Sequence, residues 1–403
     1  MFLSRCIFLI AALTITCAGS ESQSREGPVV RGTINVVLAN QNGIVAVTDS
    51  RQSYHASPSG PLQPWPEPAQ KLFQLDDHTI CTIAGFGSAP AVAFPKFQSS
   101  SIGVLKVFRT EMEQAGASLT FDEKLHGIAS AFKLQLQVIA NLRKTNIPDD
   151  YHFQLIMAGY DVDGALKVGT IDLQMTLDPD GLVGLQDVDV WSDSVGNKFE
   201  HLVTGHPAAV ANAILERPAD NDPDSIIRAY GEAKSRDGGA SLTIQQLRDL
   251  ASVLAHRAAV GDITVGGPDQ IAVLAGGKIQ NLVQPTLPTP DPPSVPYAVM
   301  FANKDMNGIE LFNFHQPLIL IKCEVTNKTS YSLDNKYFYK STISNSRVTY
   351  DGGPVGLDDS DQISNSYLIL GPNSRNSFAT VLLLRSKFSW KRVIDHSRAM
   401  ARR

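Results

Sequence analysis

The stretch Gly32–Arg51, GTINVVLANQNGIVAVTDSR, decides how this chain is read. Two apolar runs rich in β-branched residues flank Asn40-Gln41-Asn42-Gly43. Asn and Gly tolerate the backbone of a tight turn, so the spacing predicts a β-hairpin over Thr33–Val47. A second hairpin is predicted at Lys71–Ile83 (KLFQLDDHTICTI), turning at Asp76-Asp77-His78.

Outward from these hairpins the periodicity changes. Ile102, Leu105, Phe108 and Met112 recur at helical spacing in Ser101–Gln114, and Leu125, Ile128, Phe132, Leu136 and Ile139 do so in Phe121–Leu142. Thr120 and Glu123 have the spacing of a capping box for the second helix. Strands are predicted at His152–Gly159, Leu166–Leu173 and Leu185–Val190, helices at Pro207–Leu215 and Ile244–Val260, and a last strand at Gln270–Ala275. Thr243 and Gln246 repeat the capping spacing. The order strands, helices, strands, helices, strand predicts an α+β layered sandwich. A Pro-dense stretch, QPTLPTPDPPSVP at Gln284–Pro296, reads as a linker. Beyond it, residues 297–384 look all-β, with strands at Leu318–Val325, Lys336–Ser341 and Ala379–Leu384, so residues 297–403 are expected to form a small all-β domain with a basic tail. The tail from Lys387 to Arg403 reads as a basic, solvated helix face.

Composition narrows the function. The chain has 403 residues, 35 Lys+Arg against 40 Asp+Glu and a net charge of −5, which argues against a dedicated nucleic-acid binder. Four cysteines exclude a disulfide framework. Met1–Ser20 (MFLSRCIFLIAALTITCAGS) has one early positive charge, a short apolar run and small residues before Glu21, the pattern of a secretory signal peptide. The mature protein is therefore expected to be exported, periplasmic or secreted, with residues 21–32 a short propeptide. No CxxC pair or HExxH motif is present, and no metal or cofactor is expected. Asp220–Asp224 lacks the glycine and glutamate of a calcium loop and reads as solvated. His206 and His256 read as helix-end residues.

The candidate chemistry lies in a set of short motifs. Gly32-Thr33 opens the first strand, and Asp49-Ser50-Arg51 ends the second, sixteen residues after Thr33. Lys71 opens the second hairpin, and Ala84-Gly85 closes it fourteen residues after Lys71. Gly261-Asp262 and Gly266-Gly267 follow late in the chain. In order and spacing, Gly32 to about Gln280 resembles the proteasome β-subunit family of N-terminal nucleophile (Ntn) hydrolases. The resemblance implies a four-layer αββα sandwich and self-cleavage after Gly32. It implies catalytic roles for Thr33, Asp49, Lys71, Gly85 and Asp262, and a primary specificity pocket lined by Ala69, Phe73, Ile83 and Gly87. Those four are uncharged, so apolar residues are expected before the scissile bond.

The chemistry such a site needs is coherent. A threonine hydroxyl is a weak nucleophile and needs an adjacent base. A liberated Thr33 α-amine, which titrates at about pH 7.7–8.0 when unperturbed, can take the proton. A Lys71 ammonium nearby would keep that amine neutral, and Asp49 would orient the lysine. The Gly85 N–H would meet the developing oxyanion, a contribution of about 2.7–4 kcal/mol. Asp262 would order the nucleophile's hydrogen bonds.

The sequence also departs from the family. Gly261 stands where the family has arginine, Val265 where it has serine, and Val203-Thr204-Gly205-His206 where a Gly-Ser-Gly-Ser turn is usual. The expected activity is that of an exported, self-processing threonine-type peptidase acting on a peptide or protein substrate. The alternatives are a small-molecule amidase on the same fold, or a non-catalytic binding or assembly module. The family assembles rings, so a homo-oligomer is implied, with ring assembly left open.

Overall fold

The computed structural model describes residues 33–51, 53–55, 62–64, 68–85, 101–115, 118–142, 152–177, 183–185, 189–285, 299–306, 318–353 and 355–396. The signal and propeptide readings, Gly32, Gly87, most of the Pro-rich stretch and residues 397–403 lie outside them.

The first hairpin forms as the sequence predicts. β1 (Ile34–Asn40) and β2 (Gly43–Thr48) are antiparallel, with Asn40 opposite Gly43 at the turn. Only glycine fits at position 43. Its φ is 143°, and a Cβ there would lie 2.1 Å from the Leu274 carbonyl oxygen. Every residue of both strands is buried, because both faces are covered. Val36, Leu38, Val45 and Val47 join one core, and Val37, Ala39, Ile44 and Ala46 join another.

Then follow the short pair β3 (Ser53–His55) and β4 (Leu62–Pro64), and the second hairpin, β5 (Leu72–Gln74) and β6 (Thr79–Gly85). Helices α1 (Ser101–Ala115) and α2 (Phe121–Leu142) match the helical periodicity. The capping box of α2 is realised: Thr120 N–H donates to Glu123 Oε2 at 3.0 Å, and Glu123 N–H to Thr120 Oγ1 at 3.4 Å. Next come β7 (His152–Tyr160), β8 (Leu166–Leu177), β9 (Val183–Leu185), β10 (Asp189–Ser194) and β11 (Glu200–Gly205). Helices α3 (Ala208–Glu216), α4 (Ser225–Asp237) and α5 (Ile244–Ala259) precede β12 (Gln270–Ala275) and β13 (Lys278–Val283).

Two antiparallel sheets result. One runs β11-β1-β2-β12-β13, the other β10-β8-β7-β6-β5, with β9 beside β8. Residues of α3, α4 and α5 share a core with one face of the first sheet; Leu215, Tyr230 and Leu250 meet Val36, Leu38 and Val47 there. Residues of α1 and α2 share a second core with one face of the other sheet. A third core contains residues of both sheets, including Val37 and Ala46 from the first and Ile80, Ile156 and Val168 from the second.

The C-terminal strands pair in parallel. They are β14 (Val299–Ala302), β15 (Leu318–Ile321), β16 (Glu324–Thr326), β17 (Tyr331–Ser332), β18 (Lys336–Tyr339), β19 (Thr342–Ser344), β20 (Arg347–Tyr350), β21 (Val355–Leu357), β22 (Gln362–Ser364) and β23 (Tyr367–Leu370). A 3-10 turn at Pro372–Ser377, helix α6 (Phe378–Lys387) and β24 (Arg392–Asp395) complete the chain. Three parallel ladders wind as a β-solenoid, with Val325, Ile343 and Ile363 in successive coils. Asn327, Asn345 and Asn365 have φ of 53°, 50° and 49° and repeat at one corner. Asparagine is the residue after glycine that best accepts this left-handed conformation. The Asn365 side-chain amide donates to Asn345 Oδ1.

The solenoid and the helices share a core. Met300, Ala302, Ile319, Ile321, Tyr337 and Tyr339 cluster with Phe108, Leu125 and Ile128. Lys322 pairs with Glu123, and the His126 ring stacks on Tyr339 with centroids 4.1 Å apart. Each apolar side chain buried at this seam contributes about 1.5–3 kcal/mol.

Several expectations are corrected. Ala379–Leu384, read as a strand, lies in helix α6, so the region is not all-β. The tail, read as a solvated helix face, places Arg392–Asp395 as a strand paired with β23. Its apolar Val393 packs against the solenoid core, which a charge count does not register. The single strand expected at Leu185–Val190 is divided between β9 and β10. Helix α4 and strands β11 and β13 were not anticipated. Asp222 and Asp224, read as a solvated loop, both pair with Arg257 and tie the start of α4 to the end of α5.

Candidate functional site

Antiparallel hairpins return the chain to its starting end, and two such returns build the site. Thr33 precedes β1, and Asp49 follows β2, whose Thr48 stands opposite Asn35. Lys71 precedes β5 and Gly85 ends β6, with Ile83 N–H donating to the Lys71 carbonyl at 3.0 Å. β11 brings Gly205 opposite Ile34.

Asp49 is the hub. Its carboxylate is 3% exposed and accepts four hydrogen bonds. Oδ1 takes Ile34 N–H at 3.1 Å and Lys71 Nζ at 2.9 Å. Oδ2 takes Arg51 N–H and Gly266 N–H, each at 3.1 Å. Lys71 is 2% exposed, and its ammonium binds the same oxygen as the amide that follows Thr33. The ammonium is therefore no farther from that amide nitrogen than the two bonds laid end to end. Burial pulls the Lys71 pKa below its usual value, and the charge and hydrogen bond of Asp49 oppose that pull. Among the described residues Asp49 is the one hydrogen-bond partner of the Lys71 ammonium, which leaves two of its three N–H donors uncommitted. Thr33 is 1% exposed, and its Oγ1 is buried without a hydrogen-bond partner among the described residues. An unpaired buried hydroxyl costs free energy, and Ser50, Ser53, Thr82 and Tyr331 carry one as well.

Two residues not foreseen as site residues hold the arrangement. Gln270, at the start of β12, is fully buried. Its Oε1 accepts Lys71 N–H at 3.0 Å and Leu72 N–H at 3.1 Å, and its Nε2 donates to the Ala69 and Asp49 carbonyls at 2.8 and 3.2 Å. It joins the two sheets beside the ion pair. Arg51 Nη1 donates to the Ile263 and Val265 carbonyls at 3.0 and 2.8 Å and clamps the loop carrying Asp262. The sequence signals were present, a lone buried-type glutamine opening a strand and the arginine of Asp-Ser-Arg, but neither has a periodicity that singles it out.

Asp262 lies apart from the Asp49 hub. It accepts from Thr264 N–H at 2.9 Å, from the Thr264 hydroxyl, and faces His206 Nδ1 at 3.0 Å. Burial alone would raise its pKa, but these hydrogen bonds hold it below the usual carboxylate value. No hydrogen bond runs from Asp262 to Thr33, Asp49 or Lys71. Thr204 Oγ1 accepts from Asn35 Nδ2 at 3.0 Å. Val265 is buried in the core with α3, α4 and α5, and the hydroxyl of its neighbour Thr264 donates to Asp262.

Gly85 has φ of 87°, a conformation that favours glycine, and stands opposite Phe153. Ala69, Phe73 and Ile83 are all buried. Phe73 and Ile83 belong to the core shared with α1 and α2. Among the described residues no group of three or more His, Cys, Asp or Glu is arranged to hold a metal. No family model matches the chain, and no curated protein sequence matches it.

Proposed function

We propose that the chain is an exported, self-processing threonine-type peptidase with the αββα sandwich of the Ntn hydrolases, Thr33 being its nucleophile. The observation that carries this is the buried Asp49–Lys71 pair, anchored to the Thr33–Ile34 peptide of a threonine whose hydroxyl has no partner among the described residues. Lys71 Nζ and the amide that follows Thr33 share one Asp49 oxygen, which keeps the cation within two hydrogen bonds of the residue that carries this hydroxyl.

The residues act as follows. Cleavage after Gly32 frees the Thr33 α-amine, which takes the Oγ1 proton as Oγ1 attacks a carbonyl carbon. The Lys71 ammonium disfavours a second positive charge on that amine, keeping it basic. Asp49 holds Lys71 and the β1 backbone in one geometry. Gly85 N–H receives the oxyanion. Two arrangements support the layered fold: helices cover one face of each sheet, and the other faces contribute to one core. The test is Thr33→Ala against wild type. Wild type is expected to lose the residues before Thr33 and to hydrolyse apolar peptides, whereas the variant keeps those residues and does neither. A Thr33→Ala variant that still hydrolyses peptides refutes the proposal.

A further inference from the structure

One ionisable pair at the same end of the molecule is unused by this chemistry. His206 follows Gly205, which stands opposite Ile34 in the β1–β11 ladder. β11 ends at Gly205, whose φ is 106°, and His206 follows it as a turn residue at the end of the ladder where Thr33 leads into β1. The approach is close here: a Cβ at Gly205 would lie 1.6 Å from the Thr33 carbonyl oxygen.

The imidazole is held, and one nitrogen is left over. Nδ1 is 3.0 Å from Asp262 Oδ2, and the Asp262 carboxyl is held in its ionised form by Thr264 as well. An ionised carboxylate at Nδ1 places the proton on that nitrogen, so Nε2 is the atom that exchanges protons. Nε2 makes no hydrogen bond among the described residues, and the side chain is 80% exposed. The charged groups around this end are Asp262 on the loop before β12, Arg51 clamping that loop, and the Asp49–Lys71 pair beside Thr33.

An amide nitrogen cannot leave as an anion; it needs a proton as the C–N bond breaks. The α-amine of Thr33 is occupied with the proton of Oγ1. Resting on the threonine-peptidase reading, we propose that His206, positioned by Asp262, is the general acid that protonates the departing amine. In acylation, Oγ1 bonds to the scissile carbonyl carbon and its proton passes to the α-amine. The C–N bond breaks as His206 Nε2–H gives its proton to the leaving nitrogen, and the free amine departs. In deacylation, water adds its hydroxyl to the ester carbon and its proton to His206 Nε2. Oγ1 then leaves with the proton held by the α-ammonium, and both groups return to their starting states.

The experiment compares two substrates sharing one acyl part, an alkyl-amide peptide and a p-nitrophenyl ester whose leaving group needs no proton. His206→Gln is expected to lose about 10²-fold or more in kcat/KM on the amide and less than about threefold on the ester. Asp262→Asn is expected to show the same split with a smaller loss on the amide. His206→Gln is expected to begin at Thr33 by intact mass, because the nitrogen released in self-cleavage is Thr33's own. Equal losses on both substrates, no loss on either, or retention of the upstream residues would make His206 structural and overturn the proposal. Wild type that hydrolyses neither substrate, and is unaffected by Thr33→Ala, would instead sink the threonine-peptidase reading itself.

Discussion

Replacing Asp49 by Asn removes one of two acceptor oxygens from a carboxylate that serves four donors. With the amide oxygen at the Oδ1 position, its NH2 faces the Arg51 and Gly266 N–H groups; flipped, it faces Ile34 N–H and the Lys71 ammonium. Either way two buried donors lose their acceptor, and Lys71 loses the one countercharge opposing its desolvation. Removing one partner of a buried pair costs about 3–5 kcal/mol. With an m-value of about 3 kcal/mol/M, this lowers the urea midpoint by roughly 1–1.7 M. Lys71→Met, which keeps the volume and removes the charge, leaves Asp49 with three of its donors. The double variant Asp49→Asn/Lys71→Met lacks an uncompensated buried charge, so the double-mutant cycle is expected to show coupling of about 2 kcal/mol or more. Far-UV circular dichroism in urea measures all four proteins. Additivity within about 0.5 kcal/mol would refute the claim that the two residues act as one buried unit.

Three further outcomes follow from other parts of the molecule. Gly205→Ala is expected to block removal of the residues before Thr33, because its Cβ has no room against the Thr33 carbonyl. Gly238→Ala, also at positive φ but with nothing within 4 Å, serves as the control that still processes, and intact mass distinguishes them. Ile321→Ala at the seam between solenoid and helices is expected to cost about 2–5 kcal/mol and to split one thermal transition into two in calorimetry. Asp361 in the solenoid is buried, which raises its carboxyl to about 7 against an ordinary 3.8. A folded pKa above the unfolded one means the folded state binds more protons between those values, so its stability contribution is fully present below about pH 4 and is lost by about pH 7. The difference is on the order of 4 kcal/mol. Asp361→Asn is expected to flatten the stability–pH curve across that window, and an unchanged slope would remove Asp361 as its cause.

The first hairpin, the two long helices and the capping box were legible because each is local: a turn dipeptide, a 3.6 period or a three-residue spacing specifies it. The motif residues Asp49 and Lys71 were legible through their spacing, and the fold pairs them. Asp262 was picked by the same route, yet its hydrogen bonds go to Thr264 and His206. His206 is long enough to reach Asp262, and a sequence reading of it as a helix-end residue did not register that. Gln270 was missed because its role is made by bringing together strands nearly 200 residues apart. The solenoid was read only as β-rich, although Ile343-Ser344-Asn345-Ser346 returns as Ile363-Ser364-Asn365-Ser366. That repeat is the signature of stacked coils, with asparagine at the left-handed corner. The strand assigned to Ala379–Leu384 failed because an apolar run of that length suits a helix equally well.

The most direct measurement is the mass of the first peptide of purified, hydrolytically active protein. The account predicts a free amino terminus at Thr33. An active enzyme whose chain still carries Gly32 ahead of Thr33 would contradict it.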